Sequence, residues 1–100
     1  MDLTSLNARA GAAEALLKAM ANRYRLMLLC ELHQGERSVT ALQNAVGLSQ
    51  SAVSQHLAKL REEGLVATRR ESQTIYYSLA GEDVRRVIAT LYGIFCYEER

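Results

Sequence analysis

The sequence contains no proline, so the breaks between its elements fall to glycine and to capping side chains rather than to ring-locked turns. It has only two cysteines, which excludes the densely cross-linked secreted scaffolds and leaves thiols whose bonding, if any, is conditional. No apolar run approaches membrane-spanning length, and the N-terminus lacks a basic start followed by an apolar stretch. A soluble, cytoplasmic protein without a membrane partner is expected. Glycine-rich phosphate loops, G-x-S-x-G and Cys-x-x-Cys are all missing, which argues against an enzyme and implies no cofactor. The formal net charge of +1 neither demands nor excludes a nucleic acid. What matters is where Lys59, Arg61, Arg69 and Arg70 cluster.

What is present is a chain of 100 residues, 49% of them hydrophobic. That is enough for one domain, spanning residues 1–100, and too little for two. The surface-to-volume ratio of so small a domain makes dimerisation a natural source of extra burial. Leu6, Ala10, Ala13, Leu17 and Met20 recur at helical spacing and mark a first helix over residues 5–20. Asn22 is placed to cap a second helix reaching about Gln34, whose "LMLLCEL" core is apolar nearly all round. After an extended "RSV", Thr40 and Gln43 fit a capping box opening a short third helix that Gly47 closes. Ser49 starts a fourth helix, ended by Gly64. "LVATRR" and "TIYYSLA" then read as two strands joined by the polar turn "ESQ". A last helix runs from Glu82 to about Glu98 with Val84, Val87, Ile88, Leu91 and Phe95 on one stripe. The fold expected is mainly α with a small β-hairpin, in the order ααααββα, a winged helix-turn-helix.

The fourth helix carries the chemistry. Val53, Leu57 and Leu60 form its buried stripe, while Ser49, Gln50, Ser51, Ser54, Gln55 and His56 crowd its first two turns. A merely solvated face would more economically carry Glu and Lys. Gln and Ser suit the base edges of a DNA major groove, and a helix N-terminus attracts phosphate. N-terminal capping explains the same residue types equally well.

The stretch "SQSAVSQHLAKLREEGLVATRRESQTIYYSL" carries the pattern S-x-S-x-x-S-x-H-L, L-R-x-x-G-L-V and R-R-x-x-x-x-x-Y-Y-x-L. In this it resembles the ArsR family of bacterial transcriptional repressors. "LLKAMANRYRLMLLCEL" resembles that family's first two helices, so the likeness covers nearly the whole chain. The resemblance implies a symmetric homodimer formed by the N- and C-terminal helices, which binds an inverted-repeat operator in double-stranded DNA and lets go when an inducer binds. It implies a recognition face of Gln50, Ser51, Ser54, Gln55 and His56, a backbone contact from Lys59, and wing contacts from Arg69 and Arg70. His56 fits helix packing equally well, and Arg69 and Arg70 also fit solvated strand charges. Tyr76 and Tyr77 alternate faces, which suits strand packing better than base stacking.

Many ArsR relatives sense metals, yet the stretches where their ligands would fall, "SVTALQ" and "DVRRVIATLYGIF", offer only Asp83. No metal site is expected. Cys30 and Cys96 instead resemble the dithiol of the family's persulfide-sensing branch, which implies a persulfide or polysulfide inducer. On the residues alone, each cysteine reads more readily as a small buried hydrophobe. Both lie near helix C-termini, where the dipole disfavours a thiolate; Glu98 and Glu99 deepen that field around Cys96, and a protonated His33 would relieve it at Cys30. The alternatives are a general oxidant- or metal-responsive repressor of the same family and, in a different class, a winged-helix interaction module that binds no DNA.

Overall fold

The computed structural model describes residues 1–96. Its elements are α1 (Leu3–Met20), α2 (Arg23–His33), β1 (Arg37–Ser38), α3 (Val39–Val46), α4 (Gln50–Glu62), β2 (Val66–Glu71), β3 (Thr74–Leu79) and α5 (Glu82–Phe95). This is a winged helix-turn-helix, mostly helical, with α3 and α4 as the helix-turn-helix and β2–β3 as the wing.

Local chemistry sets the boundaries. The Asp2 carboxylate accepts from the Thr4 amide at 3.2 Å and starts α1 two residues earlier than the apolar stripe suggests. Asn22 accepts from the Tyr24 and Arg25 amides at 2.9 and 3.1 Å and starts α2, which ends at His33 with Gln34 as its C-cap. Arg25 then reaches back, its Nε donating to the Ala19 carbonyl at 2.6 Å, and so satisfies an orphan acceptor at the end of α1. The expected Thr40–Gln43 capping box does not form. Ser38 is the N-cap of α3, accepting from the Ala41 amide at 3.2 Å. Pairing of Arg37 and Ser38 with Tyr77 and Tyr76 holds the chain extended up to that point, so the helix begins at Val39 and Thr40 already lies inside it. The same pairing makes the sheet three-stranded, in the order β1-β3-β2 and antiparallel throughout, where a two-stranded hairpin was expected. Its turn is tighter than "ESQ": Glu71 pairs with Thr74, and Ser72 takes a left-handed φ of 56°.

The core is built on α2, where Leu28, Leu29 and Leu32 are fully buried against Leu42 of α3, Val53, Leu57 and Leu60 of α4, and Val84 and Ile88 of α5. The two terminal helices depart from the expected stripes. On α1 the inward face is Leu16, Ala19 and Met20, whereas Leu6 and Leu17 are half exposed and residues 3–12 are exposed throughout. On α5 Val84 and Ile88 pack inward, but Phe95 is 79% exposed beside Ile94. The expected end of this helix at Glu98 lies outside the described residues; α5 ends at Phe95 with Cys96 as its C-cap.

Candidate nucleic-acid interface and thiol site

Ser49 settles the double reading of the fourth helix in part. It is the N-cap of α4, its Oγ accepting from the Ala52 amide at 3.2 Å, so capping is accounted for by one residue. Capping therefore leaves Gln50, Ser51, Ser54 and Gln55 unexplained, and all four are exposed on the outer side of the first two turns. Val53, Leu57 and Leu60, none of them accessible, fix the opposite side against α2, α3 and β2. The polar set is thus presented on a rigid support. His56 lies between the faces, half buried, its ring tilted by 32° and centred 6.1 Å from that of Tyr24. Lys59 is exposed and within 3.8 Å of Glu63, a helical i,i+4 pair in solvent.

Strand alternation places the two wing arginines on opposite faces. Arg70 stands opposite Ile75 on the face that carries Val66, Thr68, Tyr77 and Leu79, and Val66 and Leu79 of that face lie in the core beside α4. Arg69 stands opposite Tyr76 on the reverse face. There its Nε and Nη2 grip both Glu36 oxygens at 2.8 Å, its Nη1 donates to Glu71 at 2.7 Å, and the guanidinium lies 4.7 Å above the Tyr76 ring. These bonds hold the Glu36 carboxyl below the usual carboxylate range and push the Arg69 guanidinium further up. The sequence carries a weak sign of the Arg69–Glu71 pair, since residues two apart share a strand face. Glu36 has none, because it reaches Arg69 only through the fold.

The cysteines come together. Cys30, in the last turn of α2, and Cys96, the C-cap of α5, line one cavity of about 250 Å³, walled by Leu26, Met27, Ile88, Leu91, Tyr92 and Phe95. They are not bonded to one another. A second hollow shares Cys30, Ile88 and Tyr92 with the first and adds His33, Gln34 and Ala89. Burial, then the nearby Cys96 and then Glu31 push the Cys30 thiol above its ordinary value of 9.0. A thiolate is thus disfavoured at Cys30 chiefly by burial, with Glu31 as the acidic neighbour; Glu98 and Glu99 lie outside the described residues. Among the described residues no group of three or more His, Cys, Asp or Glu side chains is arranged to hold a metal ion, and no helix is long and apolar enough to cross a membrane.

The thiol has a measurable consequence. Alkylation of Cys30 by iodoacetamide, followed by mass spectrometry, is expected to speed up about tenfold per pH unit from neutrality, without levelling off below pH 9, because only the thiolate reacts. A plateau below pH 8 would mean that a group near Cys30 stabilises the thiolate.

Comparison with known proteins places this geometry. Residues 22–68, from the α2 cap to the first half of β2, match the model of the bacterial regulatory protein, arsR family. Over 96 residues the chain is 47% identical to the transcriptional activator HlyU of Vibrio cholerae, covering 96% of this chain and 89% of that protein. It is 45% identical to the biofilm growth-associated repressor of Agrobacterium fabrum, covering 97% of this chain and 83% of that one. Among solved structures, reduced HlyU from V. cholerae superposes with a TM-score of 0.88 at 47% identity, covering 94% of this chain and 99% of that one. The transcriptional repressor BigR from Xylella fastidiosa gives 0.91 at 40% identity, with 96% and 98% covered. The homodimeric winged helix-turn-helix DNA-binding domain Mb0332 of Mycobacterium bovis gives 0.76 at 40% identity, with 86% and 83% covered. With a helix-turn-helix, wing and terminal helices aligned across nearly their whole length, the chain belongs to the arsR family of bacterial regulatory proteins, as a transcriptional regulator and not an enzyme.

Proposed function

We propose that the protein is a homodimeric, repressor-type regulator that reads an inverted-repeat operator with α4 and releases it when a sulfur donor bridges Cys30 and Cys96. The observation that carries the switch is the shared cavity. Two cysteines 66 positions apart in the sequence meet at the ends of α2 and α5, in a wall that is otherwise apolar. Gln50, Ser51, Ser54 and Gln55 read bases, with His56 at their edge against Tyr24; Lys59 and Arg70 meet phosphate. The exposed apolar residues of α1 and α5 suit a two-fold partner.

The chemistry balances without an outside oxidant beyond the donor itself. Each thiolate attacks the outer sulfur of a hydropersulfide RSSH, which leaves a cysteine persulfide and expels RSH. The two persulfides then condense to a trisulfide bridge between the cysteines, releasing one molecule of hydrogen sulfide. The donor sulfur is reduced and the cysteine sulfurs are oxidised. A direct disulfide needs Cα atoms within about 7 Å, and each inserted sulfur lengthens the bridge by about 2 Å. A pair set slightly wide thereby favours persulfide over peroxide. Since α2 supports the helix-turn-helix and α5 the proposed interface, joining their ends changes the spacing of the two recognition helices.

The test is operator titration of the parent, Cys30→Ser and Cys96→Ser, before and after hydropersulfide, peroxide or Zn²⁺, with intact-mass analysis. The expected result is an intrachain link with added sulfur in the parent alone and DNA release that vanishes in both variants. Release of DNA by Cys96→Ser overturns the switch. Release by peroxide through a plain disulfide makes the protein a general oxidant sensor, and release by Zn²⁺ alone a metal sensor. Failure to bind any duplex at low salt makes it an interaction module.

A further inference from the structure

Among the described residues Arg69 makes more side-chain hydrogen bonds than any other, and its strand neighbours Tyr76 and Glu71 lie on the wing face opposite Arg70. Three charge-assisted hydrogen bonds of 2.7–2.8 Å tie it to Glu36 and Glu71, and Tyr76 floors it at 4.7 Å. Glu36 belongs to the corner between α2 and β1, so the Glu36 pair crosses from the helical body to the wing. That corner is itself braced. Arg37 donates through Nη1 to the Glu36 carbonyl at 2.9 Å and through Nε to Glu31 of α2 at 3.4 Å. Arg70, one residue along, projects from the other face with its neighbours in register with α4's side of the sheet.

We infer that Arg69 is a positioning residue for DNA binding, its bidentate pair with Glu36 fixing the angle of the wing so that Arg70 reaches the phosphate backbone. This rests on the DNA-binding reading above. A guanidinium already shared by two carboxylates has little left to offer a phosphate, and withdrawing it would strand Glu36 and Glu71 beside a polyanion. The two arginines of "TRRE" thus divide the work. Arg70 is the contact, and Arg69 is the strut that places it. The far end of the strut rests on α2, one residue beyond Cys30, so the same brace is anchored on the helix that holds the sulfur site.

Salt titration separates a strut from a second contact. Each phosphate contact contributes about 0.9 to the slope of log K against log salt. In the full-length protein on a fixed duplex, Arg70→Ala is expected to lower the slope by about 0.9 per protomer, and Arg69→Ala and Glu36→Gln to lower it by up to the same amount. The double variant Arg69→Ala/Arg70→Ala should fall no further than Arg70→Ala alone, since a strut has no function without the group it places. Two direct contacts would instead add to about 1.8 per protomer. Glu36→Gln is the decisive arm. If Arg69 bound phosphate and Glu36 merely competed for it, removing that charge would free the guanidinium and raise both slope and affinity; a strut predicts weaker binding. Urea midpoints within error of the parent exclude general destabilisation as the cause. Additive slopes, or a Glu36→Gln variant that binds more tightly, overturn the inference. An unchanged slope in Arg70→Ala removes the wing from the interface, and absence of any duplex binding by the parent removes the DNA-binding reading itself; the inference falls in both cases.

Discussion

Replacing Leu57 by alanine is expected to destabilise the domain by about 2–5 kcal/mol and, with it, to weaken binding to operator and random-sequence DNA alike. Leu57 is wholly inaccessible, on the inner side of α4 among the buried side chains of α2, α3 and the wing root. Removing its three outer carbons forfeits their transfer free energy and leaves a void that the surrounding leucines fill only in part. A domain of this size has about 5–15 kcal/mol in total, so one such cavity is a large fraction of it. The check is urea unfolding followed by circular dichroism. The midpoint should fall sharply while the slope of free energy against urea stays constant. A loss below about 1 kcal/mol would mean that α4 is not held from beneath as described.

Ser54→Ala and Gln50→Ala, on the outer side of the same helix, should do the opposite. Stability is expected to stay within about 0.5 kcal/mol of the parent, because both side chains are exposed and neither caps the helix. Operator affinity should fall by about 1–3 kcal/mol for each lost base contact, and a two-fold dimer loses every contact twice. Random-sequence affinity, which depends on phosphates, should barely move. Competition titrations of operator against random duplex give both quantities in one experiment. If Gln50→Ala and Ser54→Ala bind the two duplexes as the parent does, α4 reads no bases.

Most of this architecture is legible in the residues because the signals are local. The i, i+4, i+7 stripe of Val53, Leu57 and Leu60 and the Ser49 cap are written within one helix, and both appear as expected. Where two local signals compete, the non-local contact decides. Thr40 and Gln43 satisfy a capping box on paper, but strand pairing of Ser38 with Tyr76 delivers Ser38 to the cap first. The α1 stripe fails for a related reason. A run rich in alanine has apolar residues on several faces, and packing selects Leu16, Ala19 and Met20 over Leu6 and Leu17. Only the family likeness links Cys30 to Cys96 in the sequence; nothing in their separate environments announces a common cavity. Glu36 was invisible for the same reason, its partner lying 33 residues away.

The strand order β1-β3-β2 leaves one side of β2 without a neighbour in the sheet. An open edge of that kind offers unpaired amides and carbonyls to any other extended chain, and proteins that leave one bare tend to associate through it. Here the edge strand ends in Arg69, Arg70 and Glu71, one positive face, one ion-paired face and no long apolar run. A second wing approaching edge to edge would bring like charges together. The charged strand tip therefore opposes growth of the sheet by accretion at this edge.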